Sequence, residues 1–251
     1  MLIVALTTTS LATERAFFDE HVQVPRFEQV VDTSAHDARA SYDAATAIVT
    51  LSENGSEVRS EHEPAAARLH LAVPGLDDVA ERLRGAGYTT QDVGAGAIRL
   101  RDGDGRIFML RHGVRHYLDV IDLFVADVTA SEDFYCGVLG LPRLVHNDWE
   151  SVVSAGRVVV RLKKGDPPRG TESFTLAFHS GDLDSDVATM AREGVTLDGP
   201  RSSGRAGLTA GLRDPDGHRL SLYEPSPSYL DRRSAKVGDL VTGSLHTPAH
   251  R

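Results

Sequence analysis

A tight turn between two strands occurs twice in this chain, and that repetition restricts the fold more than anything else in it. The clearer copy is Gly211-Leu-Arg-Asp-Pro-Asp-Gly-His-Arg-Leu-Ser-Leu-Tyr-Glu224. Pro215 presets φ for the turn, and Gly217 supplies the permissive backbone that closes it. Beyond the turn, Arg219, Ser221 and Tyr223 point to one face while Leu220 and Leu222 point to the other. The same device appears as Asp102-Gly-Asp-Gly105 ahead of Arg106-Ile-Phe-Met-Leu110. Two copies of one hairpin imply an array of similar modules.

Read in order, the chain carries strand, helix and further strands about four times. The first module, within 1–54, opens on Met1-Leu-Ile-Val-Ala-Leu6. A helix follows, with Thr9 or Ser10 as N-cap and Leu11, Phe17 and Phe18 buried, and Ala47-Ile-Val-Thr-Leu51 closes the module. Residues 55–66 are polar and aperiodic and read as a connecting loop. The second module, 67–111, has a strand at Arg68–Val73, a helix carrying Leu76, Val79, Ala80 and Leu83, and strands at 97–101 and 106–111. The third has a strand at Leu118–Val125 and a helix capped by Thr129 or Ser131, with Phe134, Tyr135, Val138 and Leu139 on one stripe. Strands near 149–154 and 157–163 complete it. The fourth opens at Ser173–Phe178 and continues with a helix over 183–193. It is longer than the second, and the extra length is assigned to a loop at Ser202-Ser203-Gly204. The expected division is an N-terminal domain over 1–113, a C-terminal domain over 114–226 and a polar tail over 227–251.

Composition narrows the function classes. At 251 residues with a formal net charge of −9, the chain is a poor partner for a nucleic-acid backbone. Its single cysteine, Cys136, excludes an internal disulfide and any multi-cysteine metal site, and reads as packing on the third helix. No apolar run approaches the roughly 20 residues of a membrane span. The apolar start lacks a basic region before it and reads as a strand, not a signal peptide. A cytoplasmic protein is expected.

Phe124-Val-Ala-Asp-Val-Thr-Ala-Ser-Glu-Asp-Phe-Tyr-Cys-Gly-Val-Leu-Gly-Leu141 resembles the first strand and helix of the vicinal oxygen chelate (VOC) superfamily, which includes glyoxalase I, bleomycin-resistance proteins and extradiol dioxygenases. Asp214-Pro-Asp-Gly217 with Leu220-Ser-Leu-Tyr223 resembles its closing hairpin. The resemblance is strongest over 117–224. It implies an α+β fold of four βαβββ modules paired into two half-open mixed β-barrels around cavities.

Members with a metal use His and Glu at fixed strand positions. On this resemblance those positions fall at Val120 and Arg161 in the third module and at Thr175 and Ser221 in the fourth. In the second they fall at His70 and Met109. Only His70 is an ordinary ligand, so no metal cofactor is expected, with a divalent metal as the alternative.

Alternation assigns Val120, Asp122 and Phe124 to the cavity face, with Trp149, Ser151, Val153, Val159 and Arg161. From the fourth module come Thr175, Ala177 and His179, then Arg219, Ser221 and Tyr223. Asp122 and Arg161 either pair inside the barrel or leave Arg161 to hold an anionic or carbonyl group. His179 and His218 are expected near strand ends and exposed. The ligand-binding set is therefore Asp122, Phe124, Trp149, Arg161, Thr175, Ser221 and Tyr223, and Asp122 and His70 are the catalytic candidates. The expectation is a metal-free protein of antibiotic-binding or resistance type, monomer or homodimer, holding an aromatic or polyketide-like small molecule. The alternative is an enzyme: an extradiol dioxygenase, a glyoxalase-type lyase or a metal-independent acid/base catalyst.

Overall fold

The computed structural model describes residues 2–26, 39–53, 67–167, 174–204 and 207–227. The loop expected at 55–66 and the tail beyond 227 lie outside them. The chain divides into two compact units, Met1–Phe178 with Arg213–Leu220, and His179–Leu212 with Ser221–Arg251.

The fold is α+β, built from a seven-stranded and an eight-stranded sheet, neither of them a closed barrel. The first module comprises β1 (Leu2–Thr8), α1 (Leu11–Ala16), β2 (Arg39–Asp43) and β3 (Ala47–Glu53). The second comprises β4 (Ala67–Val73), α2 (Leu76–Gly85), β5 (Thr90–Gly94), β6 (Ala97–Arg101) and β7 (Ile107–His112). The third comprises β8 (Tyr117–Val125), α3 (Val128–Glu132), β9 (Arg143–His146), β10 (Glu150–Ala155) and β11 (Val158–Lys164). The fourth comprises β12 (Phe174–His179), α4 (Leu183–Arg192), β13 (Ser202–Gly204), β14 (Gly207–Arg213) and β15 (Arg219–Pro225).

The modules pair in an order that the sequence does not announce. The eight-stranded sheet runs β5-β6-β7-β4-β8-β11-β10-β9, so the second and third modules share it through the antiparallel pair β4–β8. In the first unit, β1 pairs antiparallel with β12 of the fourth module and parallel with β3. One continuous sheet thus crosses the expected division at 113/114. Strands β2, β5 and β9 were not anticipated, and Ser202–Gly204 is a strand paired with β14 instead of a loop.

The first and third helices repeat one another closely. Each begins as a short α-helix and widens into a π-helical turn, over Phe17–Val22 and Asp133–Val138. Ser10 caps α1, its hydroxyl accepting from the Thr13 amide. The cap of α3 is Asp127, not Thr129 or Ser131; its carboxylate accepts from the amides of Thr129 and Ala130 at 2.9 and 3.1 Å. Extended φ and ψ at Asp127 aim that carboxylate at the open helix end, and Ser131 is left free to bond elsewhere.

One face of the eight-stranded sheet is core. Leu69, Leu71, Phe108, Leu110, Ile121, Leu123, Val160 and Leu162 are buried there, as period-two alternation requires. Phe17 and Phe18 of the first module pack on Phe108 with ring centroids 5.1 and 6.0 Å apart. The opposite face carries the residues considered next. In the second unit, Asp182 caps α4 through the Ser185 amide, and the rings of His179 and Tyr223 meet edge to face.

Candidate functional site

Because β4 and β8 are neighbours, residues that alternation placed in separate barrels come onto one half-buried sheet face. Strand register sets His70 beside Met109 on β7 and Val120 on β8, and sets Arg68 beside Asp122, which in turn lies beside Arg161 on β11. Further along, Phe124 lies beside Lys163, and Lys163 beside Glu150.

At the centre is a three-residue cluster. Arg161 Nε donates to Asp122 Oδ1 at 2.6 Å, and His70 Nε2 lies 3.1 Å from Asp122 Oδ2. A terminal nitrogen of Arg161 is 3.2 Å from the same His70 Nε2. The Asp122 side chain is only 2% exposed, against 17% for His70 and 29% for Arg161, so the carboxylate is the buried base on which two accessible cationic or polar heads rest. Burial pushes the Asp122 pKa up, but hydrogen bonds and charge from His70 and Arg161 outweigh it and hold the carboxyl below its usual range. Asp122 is therefore an anion at neutral pH. It can orient an imidazole and a guanidinium, but an ionised carboxylate with that low affinity is a weak proton acceptor.

Phe124 and Arg68 extend the face. The Arg68 guanidinium lies over the Phe124 ring, 4.7 Å from its centroid. Gly165 keeps that ring in place, because a Cβ there would stand 2.8 Å from Phe124 Cδ1. Arg68, Arg99, Lys163 and Glu150 had escaped sequence reading. Alternation two residues before His70 would have found Arg68, had modules two and three been paired.

The other expected site residues lie elsewhere. Ser151 and Val153 are fully buried on the opposite face, where the Ser151 hydroxyl bonds Glu132 of α3; the open face of β10 is Glu150, Val152 and Ser154. A one-residue change of register exchanges the faces, and the turn at Asn147–Trp149 makes that change. Trp149 is 73% exposed, with Lys164 Nζ 5.8 Å from its ring centroid, and does not join the cluster. Thr175 sits on β12 opposite Ala5 of β1, in the other sheet. Ser221 and Tyr223 belong to the second unit. His218, expected at the surface, is fully buried and bonded to Asp214 at 2.9 Å.

A family model described as the glyoxalase/bleomycin resistance protein/dioxygenase superfamily matches residues 116–222. The chain carries a domain of this superfamily. Among solved structures, glyoxalase I from Zea mays aligns with a TM-score of 0.68 at 18% identity, covering 98% of this chain and 96% of that one. A candidate dioxygenase from Bacillus subtilis aligns with a TM-score of 0.69 at 11% identity, covering 99% and 97%. At such identities the likeness is one of fold. No curated protein matches the chain.

The positions expected for metal ligands from the resemblance read His70, Met109, Val120 and Arg161 on this sheet, and strand register brings His70, Met109 and Val120 side by side. The donors on hand are one imidazole, one carboxylate already bonded to two partners, a thioether, a hydrocarbon and a guanidinium. A divalent cation needs more oxygen or nitrogen donors than these supply and is repelled by the guanidinium, so this donor set does not fit one. Among the described residues no helix is long and apolar enough to cross a membrane.

Proposed function

We propose that this protein holds a small organic molecule on the open face of the eight-stranded sheet without using a metal ion. The observation that carries the reading is the Arg161 guanidinium, which donates to Asp122 and lies 3.2 Å from His70 Nε2, at positions the resemblance assigns to ligands. It supplies a fixed positive charge and directed donors where chelating side chains would be needed. Val120, Val159, Val152, Met109 and Phe124 give the face an aromatic and aliphatic lining, which suits an aromatic or polyketide-like ligand bearing a few polar groups. A binding or self-resistance role agrees with that lining.

The test combines elemental analysis with ligand screening. Protein purified without chelator and incubated with iron, manganese or zinc is expected to retain well under one metal per chain. Equilibrium dialysis against aromatic natural products is expected to yield a binder whose affinity drops about tenfold in Phe124→Ala. Stoichiometric metal, or no binder in the panel, overturns the proposal.

One observation favours an acid/base enzyme instead, namely the alignment of His70 on the Asp122 carboxylate. In that case a bound compound is converted, and turnover disappears in His70→Ala while binding survives.

A further inference from the structure

The two arginines not used by the central cluster point to the chemistry of the ligand, on the reading that this face is the binding site. Arg161 donates to Asp122 and has a terminal nitrogen against His70 Nε2, and Arg101 donates to the Gly105 carbonyl. Arg68 differs. Its Nε is buried and has no hydrogen-bond partner among the described residues, although Asp122 is its register neighbour. A buried charged donor without an acceptor is costly, so its persistence calls for an acceptor from outside the chain.

The Phe124 ring beneath Arg68 takes up one flat side of the guanidinium and leaves the edge donors free. That is the presentation a planar, two-oxygen anion requires. Arg99 stands on the same face, beside Met109 in the row that contains His70. Burial, then the like charge of Arg99, disfavour the charged form of Arg68; Asp122 pulls the other way, and Arg161 adds a smaller push. Cations therefore crowd this stretch in a chain whose formal net charge is −9. Along it Arg68, Arg99, Arg161 and Lys163 stand against Asp122 and Glu150. A local excess of positive charge within an acidic protein draws anions to that place.

We propose that Arg68 and Arg99 form the anion-binding end of the ligand site. The ligand is an aromatic compound bearing a carboxylate or phosphate, whose anionic group bridges these two guanidiniums while its apolar body lies along Met109, Val120 and Val159.

Isothermal titration of the full chain with naphthoate, naphthamide and naphthyl phosphate tests this. At least one of the two anions is expected to bind about tenfold or more tighter than the neutral amide. That preference should shrink as salt rises. Arg68→Met should abolish the preference of anion over amide, and Arg99→Met should reduce it. Arg68→Lys should keep the salt dependence while losing most of the affinity gain, since a point charge replaces the planar fork. Which anion binds tighter identifies the group as carboxylate or phosphate. Equal binding of anions and amide, unchanged in Arg68→Met, overturns the anion assignment and leaves the binding face standing. Failure of all three probes overturns both. Urea denaturation of each variant guards against misfolding, and Arg68→Met is expected to be at least as stable as the parent because it removes an unsatisfied buried donor.

Discussion

The two copies of the turn have the same backbone and different chemistry at their centres. In each, the leading aspartate accepts two amides of its own turn: Asp102 from Asp104 and Arg106, Asp214 from Asp216 and His218. In each, a glycine closes the turn at positive φ, +79° at Gly105 and +91° at Gly217. In each, the second aspartate reaches the start of a helix in another module: Asp104 accepts from the Thr9 amide, and Asp216 from the Ala126 amide. The copies part at the residue after the glycine. Arg106 sits among three carboxylates, bonded to Asp102, 2.9 Å from Asp104 and 2.9 Å from Glu14. His218 bonds Asp214, and Asp214 takes a further bond from the Tyr135 hydroxyl. Where the first helix offers Glu14 to its turn, the third offers the neutral hydroxyl of Ser131 to Asp216. An acidic helix residue goes with arginine and neutral donors go with histidine. The charge at the fifth position of the turn is thus matched to the helix it clasps.

The largest effect is expected from Arg106→Met. It removes the counter-charge of Asp102 and Asp104 and the partner of the Glu14 carboxyl, and the loss of one member of a buried ionic cluster costs about 3–5 kcal/mol. Urea denaturation at neutral pH measures it. Adding Glu14→Gln should recover part of the loss, and a single-variant loss below about 1 kcal/mol would dissolve the distinction between the turns.

Next comes a pH dependence at the first turn. One guanidinium cannot compensate three carboxylates, and burial followed by the charge of Asp102 pushes the Glu14 pKa up to about 8. A folded-state value above the ordinary 4.5 means that folding retains a proton. The contribution is therefore fully present below about pH 4.5 and is lost as pH rises toward about 8. The parent should lose on the order of 2–4 kcal/mol across that window, tempered by relaxation around the site. Glu14→Gln should flatten the curve, and a parallel slope in that variant would refute the assignment.

Legibility in the sequence follows the same line between local and distant. The turns were readable because Pro215, Gly217 and Gly105 fix backbone geometry within a few residues. Their partners were not, since Thr9, Glu14, Ser131 and Tyr135 lie far away along the chain. The superfamily fold was readable from the module pattern and its short motifs. On the sheet, alternation identified His70, Asp122, Phe124 and Arg161 individually. Their meeting was hidden because neighbouring modules were paired as one-two and three-four, which kept His70 apart from Asp122. Arg68 stayed unseen for that reason, and Ser151 and Val153 went to the wrong face because the turn before β10 shifts the alternation by one residue.

The smallest effect is expected at the second turn. Asp214→Asn keeps the shape of the side chain, so Oδ1 still accepts from the amides of Asp216 and His218 at 3.0 and 2.8 Å. The oxygen facing Tyr135 and His218 becomes an amide nitrogen, which donates where a carboxylate accepted. Both partners adjust at modest cost: a tyrosine oxygen accepts as well as donates, and an imidazole can present its other tautomer. A loss of about 1–2 kcal/mol is expected in urea denaturation, well short of Arg106→Met. A loss equal to or above that of Arg106→Met would overturn the contrast between the two turns.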